Sequence, residues 1–184
     1  SDQTSVELSI VDSVPVNAGN LPWLDIGWPS NPASMLIEAG ADSVSFEHVA
    51  DPTLSPLLGE FAPGVNPTEG LLLYGLLPHM HKLGTRFWLQ VEREDGSVDR
   101  VFEIEDWDFD WQGYYLFETP VTLLPGDELR LHCSFDNSAS NQPLRDGAPR
   151  DPVDVMWGEG SDDEMCTVSM YVHGIATNEV DCGD

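Results

Sequence analysis

Short runs of β-branched and aromatic residues, broken by turn formers, limit this chain more than any other feature. Residues 43–49, 71–81, 85–92, 98–104, 129–135 and 166–172 are runs of this kind, with shorter candidates at 34–38 and 114–117. Turn signals such as Glu94-Asp95-Gly96 and Pro125-Gly126-Asp127 separate several of them. No stretch sustains the helical apolar period. Short strands at this spacing predict an all-β fold, an antiparallel jelly-roll-like β-sandwich.

The run TRFWLQVE at 85–92 shows the alternation best, with Phe87, Leu89 and Val91 on one face and Arg86, Trp88, Gln90 and Glu92 on the other. One face is therefore core and the other wetter, as in an antiparallel sheet. The first 35 residues hold one alternating run, 6–11, followed by a loop-like stretch punctuated by Gly19, Pro22, Gly27, Pro29 and Pro32. Residues 136–160 are rich in Asp, Asn, Pro and Gly and read as a long excursion between two strands, the kind of loop that commonly carries function. At 184 residues the chain has the size of one domain, and 1–184 is read as a single one.

Composition narrows the partners. There are 33 acidic residues against 7 basic ones, a formal net charge of -26. Such a surface repels phosphate backbones and anionic lipid heads, so nucleic acid is excluded as a partner and small cations are favoured. Abundant acidic side chains also serve solubility, so charge alone does not establish metal binding. The sequence holds no apolar run of membrane-spanning length and does not open with the basic-then-apolar pattern of a signal peptide, so no membrane insertion is expected of what reads as a mature chain or an excised piece. Cys133, Cys166 and Cys182 lack the close spacing of zinc or thiol-redox sites. Structural pairing in an oxidising, extracytoplasmic compartment (periplasm, cell envelope or secreted) is the expectation, with one cysteine left over.

Two elements carry chemistry. His79 and His81 flank Met80 at the end of an apolar run; if extended, they point their imidazoles to one side with backbones about 7 Å apart, close enough to converge on one metal. Histidines at this spacing also serve as surface or hydrogen-bonded residues, so the pair alone does not define a site. In WGEGSDDEMC, residues 157–166, Met165 stands between an acidic turn and an apolar strand, where core packing is the ordinary role of a methionine. Two imidazoles with one thioether suit Cu(I) better than zinc or magnesium. The acidic residues Glu159, Asp162, Asp163 and Glu164 read as a solvated turn, as a calcium site, or as partners of a ligand histidine.

With these residues in view the chain resembles the type II copper, ascorbate-dependent monooxygenases, the family of peptidylglycine α-hydroxylating monooxygenase and dopamine β-monooxygenase. The resemblance is carried by PHMHKLGT at 78–85, LLPGDELRLHCSFDNS at 123–138 and WGEGSDDEMC at 157–166, in the family's order and at similar separations. It is closer still to bacterial envelope proteins that carry the same half. Matching is clear over 65–175 and looser over 1–64, with 176–184 a tail.

That family folds as two jelly-roll domains in tandem, each holding one copper, and this chain resembles the second. The resemblance implies that His79, His81 and Met165 hold the copper at which O2 binds and a substrate C–H bond is hydroxylated. It also implies a disulfide between Cys133 and Cys166. The family's electron-storing copper, held by three histidines in the first domain, has no counterpart here, since His48, His132 and His173 are isolated in sequence. An electron-donor domain or protein, and a reductant such as ascorbate, are therefore expected partners alongside an unidentified small-molecule or peptide substrate. Tyr74, Trp107, Trp111, Tyr114 and Tyr115 are candidates for a pocket, an electron route or plain packing. The alternative reading is a copper-binding or carrier module of the cell envelope without oxygenase activity.

Overall fold

Alternation along 85–92 becomes burial: Phe87, Leu89 and Val91 are each 0% exposed, whereas Trp88 and Gln90 stay partly open to solvent. The same rule folds the chain into strands β1 (Ala18–Trp23), β2 (Val44–Ala50), β3 (Leu71–His79), β4 (Gly84–Glu92), β5 (Val98–Ile104), β6 (Tyr115–Leu123), β7 (Glu128–Phe135), a small hairpin β8 (Leu144–Arg145) and β9 (Ala148–Pro149), and β10 (Thr167–Gly174). This computed structural model describes residues 17–145 and 147–175, together with Ser5, Glu7 and Ile10. Most of the 6–11 run, and Cys182, lie outside the described residues.

One four-stranded sheet has the order β1-β10-β3-β6 and the other β2-β7-β4-β5, with every pairing antiparallel. Chain-order neighbours such as β1 and β2, or β3 and β4, fall in different sheets, which is the strand order of a jelly roll. The core lies between the sheets, built from Leu21, Leu73, Leu76 and Met170 on one side and Phe87, Leu89, Leu131 and Phe135 on the other. Cys133, in the middle of β7, is bonded to Cys166 just ahead of β10, so the two sheets are joined covalently across 33 positions of sequence.

Three elements differ from the sequence reading. The candidate strand at 34–38 is instead a 3-10 turn, Pro32–Met35, followed by a single bridge between Ile37 and Val155. Pro32 fixes the first φ of that turn and Ser34 Oγ donates to the Asn31 carbonyl at 2.7 Å, which holds the chain out of a ladder. β1 forms through Gly19 and Pro22, residues that read as loop. It is the outer strand of its sheet, where a proline costs no ladder hydrogen bond, and a Cβ on Gly19 would come within 2.5 Å of Ala62. β6, also an outer strand, runs on through Pro120 to Leu123, beyond the expected 114–117.

Candidate metal centre

β3 ends at His79 and β4 begins at Gly84, so the few residues between them carry the chain from one sheet to the other. His79 and His81 sit on this strap. Their Nε2 atoms face each other at 3.1 Å, with the rings at 81° and centroids 4.9 Å apart. His81 is 3% exposed and His79 is half-buried.

Each imidazole is fixed from behind. His81 Nδ1 lies 2.9 Å from the main-chain carbonyl of Asp163, which can only accept, so Nδ1 carries the proton and donates. His79 Nδ1 lies 2.6 Å from Gln112 Oε1, while Gln112 Nε2 donates to the Phe109 carbonyl at 2.9 Å, an arrangement that orients the amide with its oxygen toward the ring. With each Nδ1 engaged from behind, the two Nε2 atoms are left facing each other. Burial pulls the His81 imidazole below its ordinary pKa, opposed by the Asp163 carbonyl. Phe109 stands edge-on to the His81 ring at 6.0 Å.

Met165 lies two residues ahead of β10, the strand that pairs with β3. Thr167 is the register partner of His79, where the antiparallel β10–β3 pair ends. The Met165 side chain is half-buried and packs against the core, while its neighbour Cys166 is fully buried in the disulfide.

Glu164 holds the two segments in place. It is 0% exposed, and its Oε2 accepts the main-chain N–H of His81 at 2.8 Å while Oε1 accepts that of Leu83 at 2.6 Å. Burial pushes its carboxyl up to about 8, against the pull of these N–H donors. The indole of Trp107 adds a third tether by donating to the His81 carbonyl at 3.1 Å. Beside the strap lies a cleft of about 540 Å³ lined by Lys82, Trp107, Phe109 and the exposed carboxylates of Asp106, Asp108 and Asp110.

Residues 65–182 match the model of the copper type II ascorbate-dependent monooxygenase, C-terminal domain. The chain belongs to that family. Tyramine beta-hydroxylase of Caenorhabditis briggsae is 25% identical over 114 residues, covering 62% of this chain and 18% of that protein. The monooxygenase C-terminal domain thus corresponds to a small part of that relative's length.

Elsewhere in the monooxygenase domain the remaining histidines are dispersed. His48 packs on Trp23, His132 stacks on Trp88 and meets Glu47 and Ser134, and His173 Nε2 bonds the Tyr74 hydroxyl at 2.7 Å. Trp111 and Tyr114 are exposed, and Tyr115 packs against the core. Asp162 pairs with Lys82 and Arg145, and Asp163 Oδ2 accepts the Gly160 N–H, so the acidic turn is largely engaged with its own neighbours. Sequence reasoning missed Gln112 altogether: it lies 33 positions from His79, in a loop whose pattern carries no sign of the contact. Among the described residues no helix is long and apolar enough to cross a membrane.

Proposed function

We propose that His79, His81 and Met165 hold one copper ion and that the domain is the oxygen-activating, C–H-hydroxylating part of a monooxygenase supplied with electrons by a separate donor. The observation that carries this reading is the facing pair of Nε2 atoms at 3.1 Å, each ring locked with its Nδ1–H turned outward. With both Nδ1 atoms engaged elsewhere, the two Nε2 atoms are the ones left to meet an ion. Nitrogens that would share one metal at about 2.0–2.1 Å each stand about 3–4 Å apart, and the observed 3.1 Å lies at the short end of that range. The Met165 thioether, two residues ahead of the strand that pairs with β3, would complete a donor set that favours Cu(I) over zinc or magnesium. Copper there supplies O2 binding and one-electron redox chemistry.

The chain's own residues do the positioning. Gln112 and the Asp163 carbonyl fix the tautomers and raise the basicity of the ligand nitrogens. Glu164 and Trp107 hold the strap so that His81 cannot swing away. Phe109 and Trp107 give the adjoining cleft an apolar wall, and its carboxylates disfavour an anionic substrate. The disulfide between Cys133 and Cys166 supports an extracytoplasmic location, where such bonds persist.

The test is an anaerobic titration with Cu(I) against a competing chelator, for wild type and for the His79→Ala and Met165→Ala variants. One tightly bound equivalent, weakened in both variants, is expected; binding indifferent to these changes overturns the ligand assignment. O2 consumption by the reduced, copper-loaded protein then separates a monooxygenase from a copper carrier using the same residues.

A further inference from the structure

Tyr74 and His173 stand on neighbouring strands, β3 and β10, and neither is used by the metal centre. The Tyr74 hydroxyl lies 2.7 Å from His173 Nε2, and the two rings stack at 27° with centroids 4.9 Å apart. On its other side His173 Nδ1 lies 2.7 Å from the Gly174 main-chain carbonyl, which can only accept. Nδ1 therefore carries the proton of the neutral ring, Nε2 is the acceptor, and the phenol donates to it. His173 is 5% exposed, so this nitrogen is shielded from bulk water.

A phenol resists one-electron oxidation because losing the electron alone leaves a strongly acidic radical cation. A base already bonded to the hydroxyl removes that obstacle by taking the proton as the electron leaves, and an imidazole nitrogen in hydrogen-bond reach is such a base. Among the described residues Tyr74 is the one tyrosine whose hydroxyl is bonded to a side chain. Its surroundings give it two ends. The Tyr171 ring, 39% exposed, stands edge-on to it at 6.2 Å and links the pair to solvent. His79 lies five residues along the same strand, about 16 Å away.

We propose that Tyr74 and His173 form a redox-active pair that carries an oxidising equivalent from the metal centre toward the surface. In the step Tyr74 gives one electron to a one-electron oxidant while its O–H bond breaks and the proton passes to His173 Nε2. The products are a neutral phenoxyl radical and an imidazolium whose Nδ1–H still meets the Gly174 carbonyl. An external reductant of the ascorbate class, approaching at the partly exposed Tyr171 ring, returns one electron, and His173 gives the proton back. The source of the oxidising equivalent rests on the copper reading above: it is what remains at the metal centre when oxygen is activated and no substrate is there to be hydroxylated. Discharging it through Tyr74 spares the Met165 thioether from oxidation to the sulfoxide.

The experiment starts with the whole metal-free chain, so that the pair is tested apart from the copper assignment. Flash-generated ruthenium(III) tris-bipyridine serves as the one-electron oxidant, and radicals are followed by transient absorption and electron paramagnetic resonance. Wild type should give a tyrosyl signal that is lost in Tyr74→Phe, a change that removes one oxygen and keeps the ring. In His173→Gln the amide oxygen still accepts a hydrogen bond but takes up no proton, and the radical should form about a hundredfold more slowly, the scale of a positioned base. No tyrosyl radical in wild type, the same radical in Tyr74→Phe, or an unchanged rate in His173→Gln overturns the pair. The copper-loaded chain is then cycled with ascorbate and O2 without substrate, and Met165 sulfoxide is measured by mass spectrometry. Faster sulfoxide formation in Tyr74→Phe is expected, and equal rates overturn the relay. A chain that binds no copper fails the earlier reading and the relay with it, while the metal-free result still decides the pair.

Discussion

Glu164 and His81 lie 83 positions apart in sequence, yet the Glu164 side chain accepts the His81 main-chain N–H at 2.8 Å and that of Leu83 at 2.6 Å. One buried carboxyl therefore joins the strap that carries two histidines to the segment that carries Met165. In Glu164→Gln one of the two main-chain donors faces an amide NH2 and loses its acceptor. Leaving a buried donor unpaired costs about 1–3 kcal/mol. Thermal unfolding should fall by about 2–4 °C for each of these kcal/mol in a chain of this size, and a calorimetric scan of the metal-free variant checks it.

Gln112 touches His79 from the side away from His81, so its loss should act on the metal more than on the fold. Gln112→Leu is expected to lower Cu(I) affinity about 10–100-fold, the range for removing a partner of a ligand histidine. Unfolding temperature should change little, because Gln112 sits in a loop outside the core. Competition against a chelator, read beside a melting curve, separates the two effects.

The disulfide closes a loop of 33 positions. In the chain-entropy model such a closure contributes about 3–4 kcal/mol. Replacing Cys133 and Cys166 together by Ser should lower the denaturation midpoint accordingly, and the variant's midpoint should no longer respond to a thiol reductant while that of wild type drops.

His48 is held below its ordinary pKa by burial, with Asp25 opposing. Folding thus favours the neutral ring. The contribution is fully present above the unfolded value of about 6.5 and is lost as pH falls through the lower folded value. Wild type should lose more stability than His48→Phe between pH 7.5 and 5, a comparison in which the shared carboxylate titrations cancel; equal losses by chemical denaturation would remove His48 from the account.

With 33 acidic residues against 7 basic ones, the folded chain repels itself. Raising the salt from a few millimolar to about 0.5 M, where the screening length shortens to a few ångströms, should raise the unfolding temperature.

Strands were legible where side-chain alternation met the core without interruption. Residues 98–104 emerge with the bounds read from sequence, and 85–92 is extended only by Gly84. Reading failed where the special position of a residue overrides its local preference. Pro22 and Pro120 look like breakers and instead lie in strands at the rims of sheets, where the missing N–H is not needed. In the centre, the spacing of His79 and His81 was visible as a pair. The Gln112 contact, the engagement of His81 by a main-chain carbonyl and the burial of Glu164 depend on how loops meet across the sheets, which no local pattern encodes.

His79 closes one sheet, Gly84 opens the other, and a covalent bond between Cys133 and Cys166 ties the same two layers beside them. Parting the imidazoles would require breaking the contacts of Gln112 and the Asp163 carbonyl that hold each ring from behind. On the proposed ligand assignment, an ion would meet two imidazoles already facing each other, so its affinity would not be reduced by the cost of bringing them together. The apo and loaded proteins should accordingly superpose, and capture should be as fast as the ion can shed water.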